Sequence, residues 1–385
     1  MTNKKLLTIA IPYRDRDIDR VERCLSSLAN QTFKNFEAIL VDDGSLQSIS
    51  TLLRTIMSKY DFCRYIYTDT RGYPWNKARA LNIAGRLATT EYLMLLDIDL
   101  ILPRDLLALS MNHMDCNTAL YVTTYFLPKD FRDWVNIDSY ANKLPFINCV
   151  GGCVCIPTNV FKNIRGFDEY YQFWGREDAD LAHRLIKYGL HETWSTEYTR
   201  VFHQWHPVTD QPSAGYLSDN IYGRNMPYGT WSRKLNYSIL SREKIIRNSD
   251  NWGHIHKTEE RQVFRYLDPD EHKLIDSEKV VTLDLIPDDN ISTGKVAEAF
   301  YDLPSGHALA VNHAFYPRHT KLLDVFIKYT NKVLDKLNRG TAEIDYRHNL
   351  LHSFLYEFIE NQKDIIADYF LGLKVSDGLT VLVRT

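Results

Sequence analysis

The chain has 385 residues, of which 44% are hydrophobic and 25% are charged, and its formal net charge is -3. This composition is that of an ordinary globular protein, and it excludes a disordered or fibrous chain. The near balance of charge argues against nucleic acid as a partner, because nucleic-acid domains usually carry a strong basic excess. The sequence contains neither the roughly 18 consecutive apolar residues of a membrane helix nor a recognisable signal peptide, and we therefore expect a cytoplasmic protein with reduced cysteines.

Strands and helices alternate along the first half of the chain. The predicted strands are residues 6–12, 36–41, 64–68, 92–96, 119–126 and 200–202. Helical spacing of apolar residues covers the intervals at 21–28, 49–56, 76–87 and 178–188. This alternation predicts an α/β fold with a largely parallel sheet. Ligands bind at the carboxyl ends of the strands in such sheets.

The second half of the chain has a different pattern. Residues 208–235 are rich in Gly, Pro, Ser, Asn and Tyr and are interpreted as a long, lid-like loop. Beyond about residue 270, strands are predicted at 280–286, 308–312 and 380–383, and helices at 321–337 and 350–370. We therefore predict a catalytic domain over residues 1–268, which includes a lid-like segment at 208–268. A smaller C-terminal α/β domain of accessory role is predicted over residues 269–385.

The acidic pair Asp97 and Asp99 directly follows an apolar strand. In an extended segment residues i and i+2 face the same side, so both carboxylates can approach one cation. Carboxylate oxygens suit Mg²⁺ or Mn²⁺, and such an ion neutralises charge that develops on a leaving diphosphate. The alternative for this pair alone is a solvated turn after a strand.

Polar residues at other element ends add to this pattern. Asp43 ends a predicted strand, where its carboxylate can accept from a ribose hydroxyl or a base N–H. Arg71, Lys77 and Arg79 can approach a diphosphate, and Asn82 lies one helical turn after Arg79. Taken singly, each of these residues has a structural alternative, namely a turn, a helix cap or a solvated helix face.

Two further groups point to acid–base and metal chemistry. Trp174, Glu177 and Asp178 stand at the start of a predicted helix, where an aromatic wall beside a carboxylate suits the deprotonation of a sugar hydroxyl. Helix capping is the structural alternative for the acids. His203 and His206 follow a short strand, and one of them is predicted to complete the metal site of Asp97 and Asp99, with His203 preferred.

Six blocks between residues 6 and 207 follow one another in a familiar order. They are IPYRDR (11–16), SLANQTFKNFEAILVDDGS (27–45), KARALN (77–82), DID (97–99), GG (151–152) and GFDE…FWGREDADLAHRL (166–185). On these blocks, residues 6–207 resemble GT-A glycosyltransferases of the family 2 type. The first and the last block are also similar to β-1,4-galactosyltransferases and to bacterial chondroitin-polymerase domains. The resemblance implies a Rossmann-like, mixed sheet flanked by helices.

The resemblance also implies roles for single residues. On the donor side, it places Pro12, Arg14 and Asp43 in the nucleoside pocket and Arg79 near the donor. Asp97 is expected to contact the ribose or the metal, whereas Asp99 and His203 are expected to bind the metal directly.

On the acceptor side, the resemblance implies that Gly152 shapes the floor where donor sugar and acceptor meet. Glu177 is expected to hold a sugar, and Asp178 to be the catalytic base. The chain departs from the galactosyltransferase block at Arg176, where that block has glycine, and at Ala179, where it has an acid. These departures leave open the identity of the sugar and the acceptor.

The sequence therefore predicts a metal-dependent, inverting hexosyltransferase that uses a UDP-sugar. Its expected cofactor is Mn²⁺ or Mg²⁺, its acceptor a glycan or glycolipid, and its setting bacterial surface-polysaccharide assembly. The inner face of the membrane is an alternative location. The alternatives for the function are a retaining GT-A transferase, a non-catalytic glycan-binding or scaffold subunit, and, with less support, a nucleotidyltransferase. Galactose, N-acetylgalactosamine and glucose all remain open as the transferred sugar, as does the oligomeric state.

Overall fold

A computed structural model describes residues 6–134, 136–173, 175–195, 199–206, 230–275, 278–285, 293–313, 346–372 and 379–385. The described residues fall into two compact units. The first contains residues 6–206 and Ser232–Glu260, and the second contains Thr230, Trp231 and the described part of Arg261–Thr385. Within these ranges, no helix is both long and apolar enough to span a membrane. The helix predicted at 321–337 and most of the loop predicted at 208–235 lie outside the described residues.

Strands and helices alternate through the first unit, as predicted. Its strands are β1 (Leu7–Tyr13), β2 (Phe36–Asp43), β3 (Cys63–Thr68), β4 (Tyr92–Leu96), β5 (Leu100–Ile101), β6 (Thr118–Tyr121), β7 (Thr123–Phe126), β8 (Phe146–Ile147), β9 (Cys153–Pro157), β10 (His191–Trp194) and β11 (Arg200–His203). Its helices are α1 (Ile18–Ala29), α2 (Gln47–Met57), α3 (Lys77–Leu87), α4 (Leu106–Asn112), α5 (Thr158–Asn163), α6 (Glu177–Tyr188) and α7 (Thr230–Leu240).

The larger sheet of the first unit has the order β10-β6-β9-β4-β1-β2-β3 among the described residues. β4, β1, β2 and β3 run parallel, whereas β9 is antiparallel to both of its neighbours. The sheet is therefore mixed and lies between helices, which confirms the predicted α/β class. Because the four parallel strands point the same way, their carboxyl ends lie along one edge of the sheet.

Two apolar cores cover the faces of this sheet. Side chains alternate along β1, so that Leu7, Ile9 and Ile11 pack on one face and Ala10 on the other. The first face packs against α1, α2 and α4, and the second packs against α3, α5 and α6. Both faces are covered, which explains why the central strands are continuous apolar runs.

A smaller sheet with the order β5-β11-β7-β8 carries part of the candidate site. Residues 119–126 were predicted as one strand, but they divide at Val122 into β6 of the large sheet and β7 of the small one. The chain thus passes from one sheet to the other, and no local pattern marks the change.

Residues 230–240 form α7. The loop predicted over residues 208–235 therefore ends before residue 230, and the predicted end at residue 235 is wrong. Lys234 and Tyr237 of this helix form hydrogen bonds with other segments of the first unit. Lys234 Nζ donates to the Gly175 carbonyl at 3.3 Å, and the Tyr237 hydroxyl donates to Asp168 at 2.8 Å. Lys234 and Tyr237 therefore hold α7 against the segments that contain Gly175 and Asp168.

The second unit is also of α/β type. Its elements are β12 (Leu267–Asp268), β13 (Lys273–Leu274), β14 (Val280–Leu285), α8 (Thr293–Tyr301), β15 (Ala308–His313), α9 (Tyr346–Asn361), β16 (Ile366–Phe370) and β17 (Leu379–Arg384). β14-β15-β17-β16 form a sheet. The prediction of one helix over 350–370 is wrong in its second half, because β16 pairs there with β17.

Candidate functional site

The predicted nucleoside-pocket residues lie at the carboxyl ends of β1 and β2. Pro12 is buried within β1 opposite Val41, and Arg14 follows the strand. Arg14 Nη1 donates to the Tyr73 carbonyl at 2.9 Å and lies 3.9 Å from Asp43 Oδ2. The structure thus brings Pro12, Arg14 and Asp43 to one place.

Asp43 organises this pocket through protein contacts. Its fully buried carboxylate accepts from Arg79 Nη2 at 2.7 Å, from Thr70 Oγ1 at 3.0 Å and from the Asn76 N–H at 3.2 Å. The carboxylate therefore joins β2 to the loop after β3 and to the start of α3. Arg79 and Asp43 were predicted separately, and the structure pairs them.

Lys77 stands between two of the predicted carboxylates. Its Nζ atom lies 3.0 Å from Asp97 Oδ1 and 3.4 Å from Asp178 Oδ2. Asp97 follows β4, and its N–H donates to the Gly152 carbonyl at 2.8 Å. Asp178 lies in the first turn of α6. Residues from β4, α3 and α6 therefore converge on one ammonium group.

The environment of Asp178 raises its proton affinity. Burial raises the pKa of Asp178 to about 7, with further contributions from the charges of Glu177 and Asp97, while Lys77 opposes the shift. Burial works to lower the pKa of Lys77, but the surrounding carboxylates raise it well above its usual value. A carboxylate with a pKa near neutrality is suited to general-base catalysis.

Asp99, His203 and His206 form a second group. His203 Nε2 lies 3.7 Å and His206 Nε2 lies 3.4 Å from Asp99 Oδ2. One ligand atom from each residue lies within 4.8 Å of those of the other two. The group forms because β5, just after Asp99, pairs antiparallel with β11, with Leu100 opposite His203. Asp97 is not a member of this group, since its carboxylate contacts Lys77.

The donor set of this group fits a divalent cation. Asp99 Oδ1 is buried and has no hydrogen-bond partner among the described residues. This carboxylate oxygen is therefore available to bind a ligand. Burial works to raise the pKa of Asp99, but His203, His206 and Arg16 hold it well below its usual range. Burial lowers the pKa of His203, which favours the neutral imidazole that binds metals.

Two glycines lie beside the carboxylates. A Cβ at Gly151 would overlap Oδ2 of Asp178 and would lie 3.0 Å from its Cγ. Gly152 has a φ of +86°, in the left-handed region that favours glycine. Gly152 was predicted as the floor of the site. Gly151 is the residue that contacts the candidate base; it belongs to the matching block GG (151–152), but no role was predicted for it.

The segment before α6 has an unusual backbone. Phe173, Gly175 and Arg176 all have positive φ, with 77° at Arg176. This explains why the resembling block has glycine where the chain has Arg176, since glycine adopts this conformation at no steric cost. Glu177 is buried at the start of α6. Trp174 lies outside the described residues, so its predicted role stays a prediction.

Arg71 and Asn82, which were predicted to lie near the donor, contact other protein groups in this structure. Arg71 Nη2 pairs with Asp69 Oδ2 at 2.7 Å. Asn82 Nδ2 donates to the Phe167 carbonyl at 2.9 Å and to Glu169 Oε1 at 2.8 Å, and it is fully buried. These contacts give both residues structural roles, and their predicted roles in donor binding stay predictions.

Gln204 was missed by sequence reasoning. It lies between the two histidines, and its buried side chain accepts from Arg23 Nε at 2.6 Å and donates to the Arg20 carbonyl at 3.1 Å. These bonds hold residues 203–206, called here the histidine turn, against α1, which contains Arg20 and Arg23. The only signal in the sequence was its position inside His203-Gln204-Trp205-His206.

Asp180, the third acid in the first turn of α6, is not part of the site. Its buried carboxylate pairs with Arg184 Nε at 2.7 Å and contacts Arg247. Arg184 also donates to the Gly166 carbonyl at 2.7 Å. Asp180 therefore holds α6 in place, and the i, i+4 spacing of Asp180 and Arg184 is the signal that marks this pair.

Comparison with known proteins agrees with this geometry. Residues 8–169 match the model of glycosyl transferase family 2, and residues 134–207 match that of the N-terminal domain of galactosyltransferase. The resemblance predicted from the sequence is thereby confirmed.

The curated relatives of this chain include a chondroitin synthase and a β-1,4-galactosyltransferase. Chondroitin synthase of Escherichia coli is 26% identical over 283 residues, which cover 62% of this chain and 40% of that protein. β-1,4-Galactosyltransferase 1 of Mus musculus is 28% identical over 134 residues, which cover 34% of this chain and 30% of that protein. The chain thus spans less than half the length of either relative.

One structural comparison concerns a mannosyltransferase, PcManGT of Pyrobaculum calidifontis, solved in complex with GDP-Man and Mn²⁺. The two chains have a TM-score of 0.41 and 19% sequence identity, and the match covers 65% of this chain and 66% of the other.

Proposed function

We propose that the protein is a metal-dependent, inverting glycosyltransferase that moves a hexose or an N-acetylhexosamine from a UDP-sugar to a hydroxyl of a glycan acceptor. The observation that carries this proposal is that Lys77 contacts both Asp178 and Asp97, and that Asp97 stands two residues before Asp99, which forms a group with His203 and His206. A base and a cation site at one edge of the sheet are what single-displacement transfer requires.

The proposed transfer has one step. The acceptor oxygen bonds to the anomeric carbon while the bond from that carbon to the diphosphate oxygen breaks, and UDP leaves. Asp178 takes the proton of the attacking hydroxyl. No covalent intermediate on the protein is needed, so the anomeric configuration inverts.

Asp99, His203 and His206 are the residues that would hold the cation. When bound, a divalent ion supplies positive charge for the leaving diphosphate. Two imidazoles with one carboxylate favour Mn²⁺ over Mg²⁺, since Mg²⁺ prefers a shell of oxygen ligands. Lys77 adds the second positive charge. Arg14, Asp43 and Arg79 support a nucleoside pocket at the ends of β1 and β2.

The remaining predictions are part of the same proposal. Residues 1–268 would act as the catalytic domain and residues 269–385 as an accessory domain. The acceptor class follows from the resemblance to polysaccharide-building enzymes, and we propose a role in bacterial surface-polysaccharide assembly on that ground.

The test is thermal stabilisation of the full chain by UDP, GDP and ATP, each with and without Mn²⁺. A ligand at 100 times its Kd should stabilise the fold by about 2.7 kcal/mol. We expect a melting shift with UDP that requires Mn²⁺, followed by turnover with UDP-galactose, UDP-N-acetylgalactosamine or UDP-glucose. Product with retained anomeric configuration would contradict the inverting mechanism. Binding of glycans without any nucleotide binding would favour a non-catalytic subunit.

A further inference from the structure

Lys77 places its single positive charge between the candidate base and the acid that follows β4. Its Nζ atom lies 3.0 Å from Oδ1 and 3.2 Å from Oδ2 of Asp97, and 3.4 Å from each carboxylate oxygen of Asp178. The Lys77 side chain is 14% exposed. Both carboxylate oxygens of Asp178 therefore lie within hydrogen-bonding reach of a cation that also contacts Asp97.

The backbone of Lys77 is fixed, while its side chain retains freedom. Asn76 caps α3 by accepting from the Arg79 N–H at 2.9 Å, and its Nδ2 atom donates to the Glu169 carbonyl at 2.9 Å. The four-carbon stem of a lysine has several rotatable bonds, so its ammonium group can move by a few ångströms without moving the helix.

A bound donor would compete for this ammonium group. The diphosphate of a UDP-sugar carries more negative charge than one carboxylate, and it would lie near Asp97 and Asp99 in the proposed function. An ammonium group is attracted most strongly to the densest nearby negative charge. The attraction that now holds Lys77 against Asp178 would then be redirected to the diphosphate.

We propose that Lys77 couples donor binding to release of the base. Without donor, Lys77 pairs with the carboxylate of Asp178, and with donor it moves to the diphosphate and leaves that carboxylate free to accept from the acceptor hydroxyl. This inference rests on the proposed function. It implies that the donor binds before the acceptor. Lys77 is a positioning residue for Asp178 as well as a ligand of the diphosphate.

The test is calorimetric titration of UDP in the presence of Mn²⁺ into four proteins: the unsubstituted chain, Lys77→Met, Asp178→Asn and the double variant. If Asp178 holds Lys77 back, Asp178→Asn should tighten UDP binding by about three- to tenfold, which is the size of coupling usual for a contacting charged pair. The same substitution should change nothing in the Lys77→Met background. Lys77→Met alone should weaken binding of UDP more than binding of UMP, which lacks the second phosphate.

The outcomes separate the two proposals. Equal effects of Asp178→Asn in both backgrounds would overturn the coupling and leave the donor assignment intact. Failure of UDP to bind the unsubstituted chain with Mn²⁺ would overturn both. Lys59→Met serves as the control for loss of a cation, since Lys59 forms an exposed pair with Glu22. That control should bind UDP as the unsubstituted chain does.

Discussion

The backbone N–H of Gln204 donates to the backbone carbonyl of Asp99 at 2.9 Å. This bond continues the antiparallel ladder of β5 and β11, in which Leu100 lies opposite His203. The ladder fixes the position of residues 203–206 relative to residues 97–99. The proposed metal ligands therefore owe their proximity to strand pairing, and Gln204 is the residue that links the turn to α1.

Gln204→Ala should weaken Mn²⁺ binding without unfolding the protein. The substitution removes the side-chain bonds to Arg23 and to the Arg20 carbonyl. Residues that orient metal ligands in this way commonly contribute about 10- to 100-fold to affinity. Mn²⁺ titration followed by electron paramagnetic resonance measures the effect, with Gln47→Ala, at an exposed position of α2, as the control. Unchanged Mn²⁺ affinity would remove Gln204 from this role.

Asp99→Ala should abolish Mn²⁺-dependent UDP binding. Its buried Oδ1 atom has no partner among the described residues, and its Oδ2 atom faces both histidines. The measurement is UDP affinity with and without Mn²⁺. Asp130→Ala, an exposed carboxylate, should bind UDP normally. The ligand assignment is wrong if Asp99→Ala retains full UDP affinity in Mn²⁺.

Asp178→Asn should lower turnover by about 10²-fold or more while UDP binding is not weakened, because removal of a general base affects the chemical step. Initial rates at saturating donor, together with UDP titration, separate these two effects. Near-normal turnover in this variant would exclude Asp178 as the base.

The activity of the unsubstituted enzyme should fall below a pH of about 7. Burial raises the pKa of Asp178 to about 7, so that the carboxyl group is increasingly protonated as the pH falls below that value. A protonated carboxyl group cannot accept a proton, and kcat/KM reports the pKa of the free enzyme. We therefore expect kcat/KM to rise with pH and to level off above neutrality. A profile that is flat from pH 5 to 8 would contradict this prediction.

Gly151→Ala should lower kcat more than it affects UDP binding. The added Cβ would overlap Oδ2 of Asp178 and displace the carboxylate. Misplacement of a catalytic group by about 1 Å can lower the rate by about 100-fold. Steady-state kinetics combined with UDP titration provide the measurement. A variant with unchanged kcat would show that the carboxylate does not need its present position.

The sequence predicted much of the first unit because local patterns suffice there. β4 was predicted with its observed ends, and α3 begins one residue after its predicted start because Asn76 is the cap. The pattern failed where pairing between distant residues decides the structure. Residues 366–370 are apolar enough to extend α9, but they form β16 because β17 offers a partner strand. Periodicity alone cannot distinguish short apolar segments of this kind.

By itself, the sequence determined the α/β alternation, the strand ends that carry Asp43 and Asp97, and the resemblance that led to the glycosyltransferase class. These features depend on periodicity and on short motifs, which act over a few residues. The tertiary structure alone decided that Asp99 meets His203 and His206, and that Lys77 lies between Asp97 and Asp178. Both sets of contacts join residues far apart in the chain, and they exist only after strands pair and helices pack on the sheet.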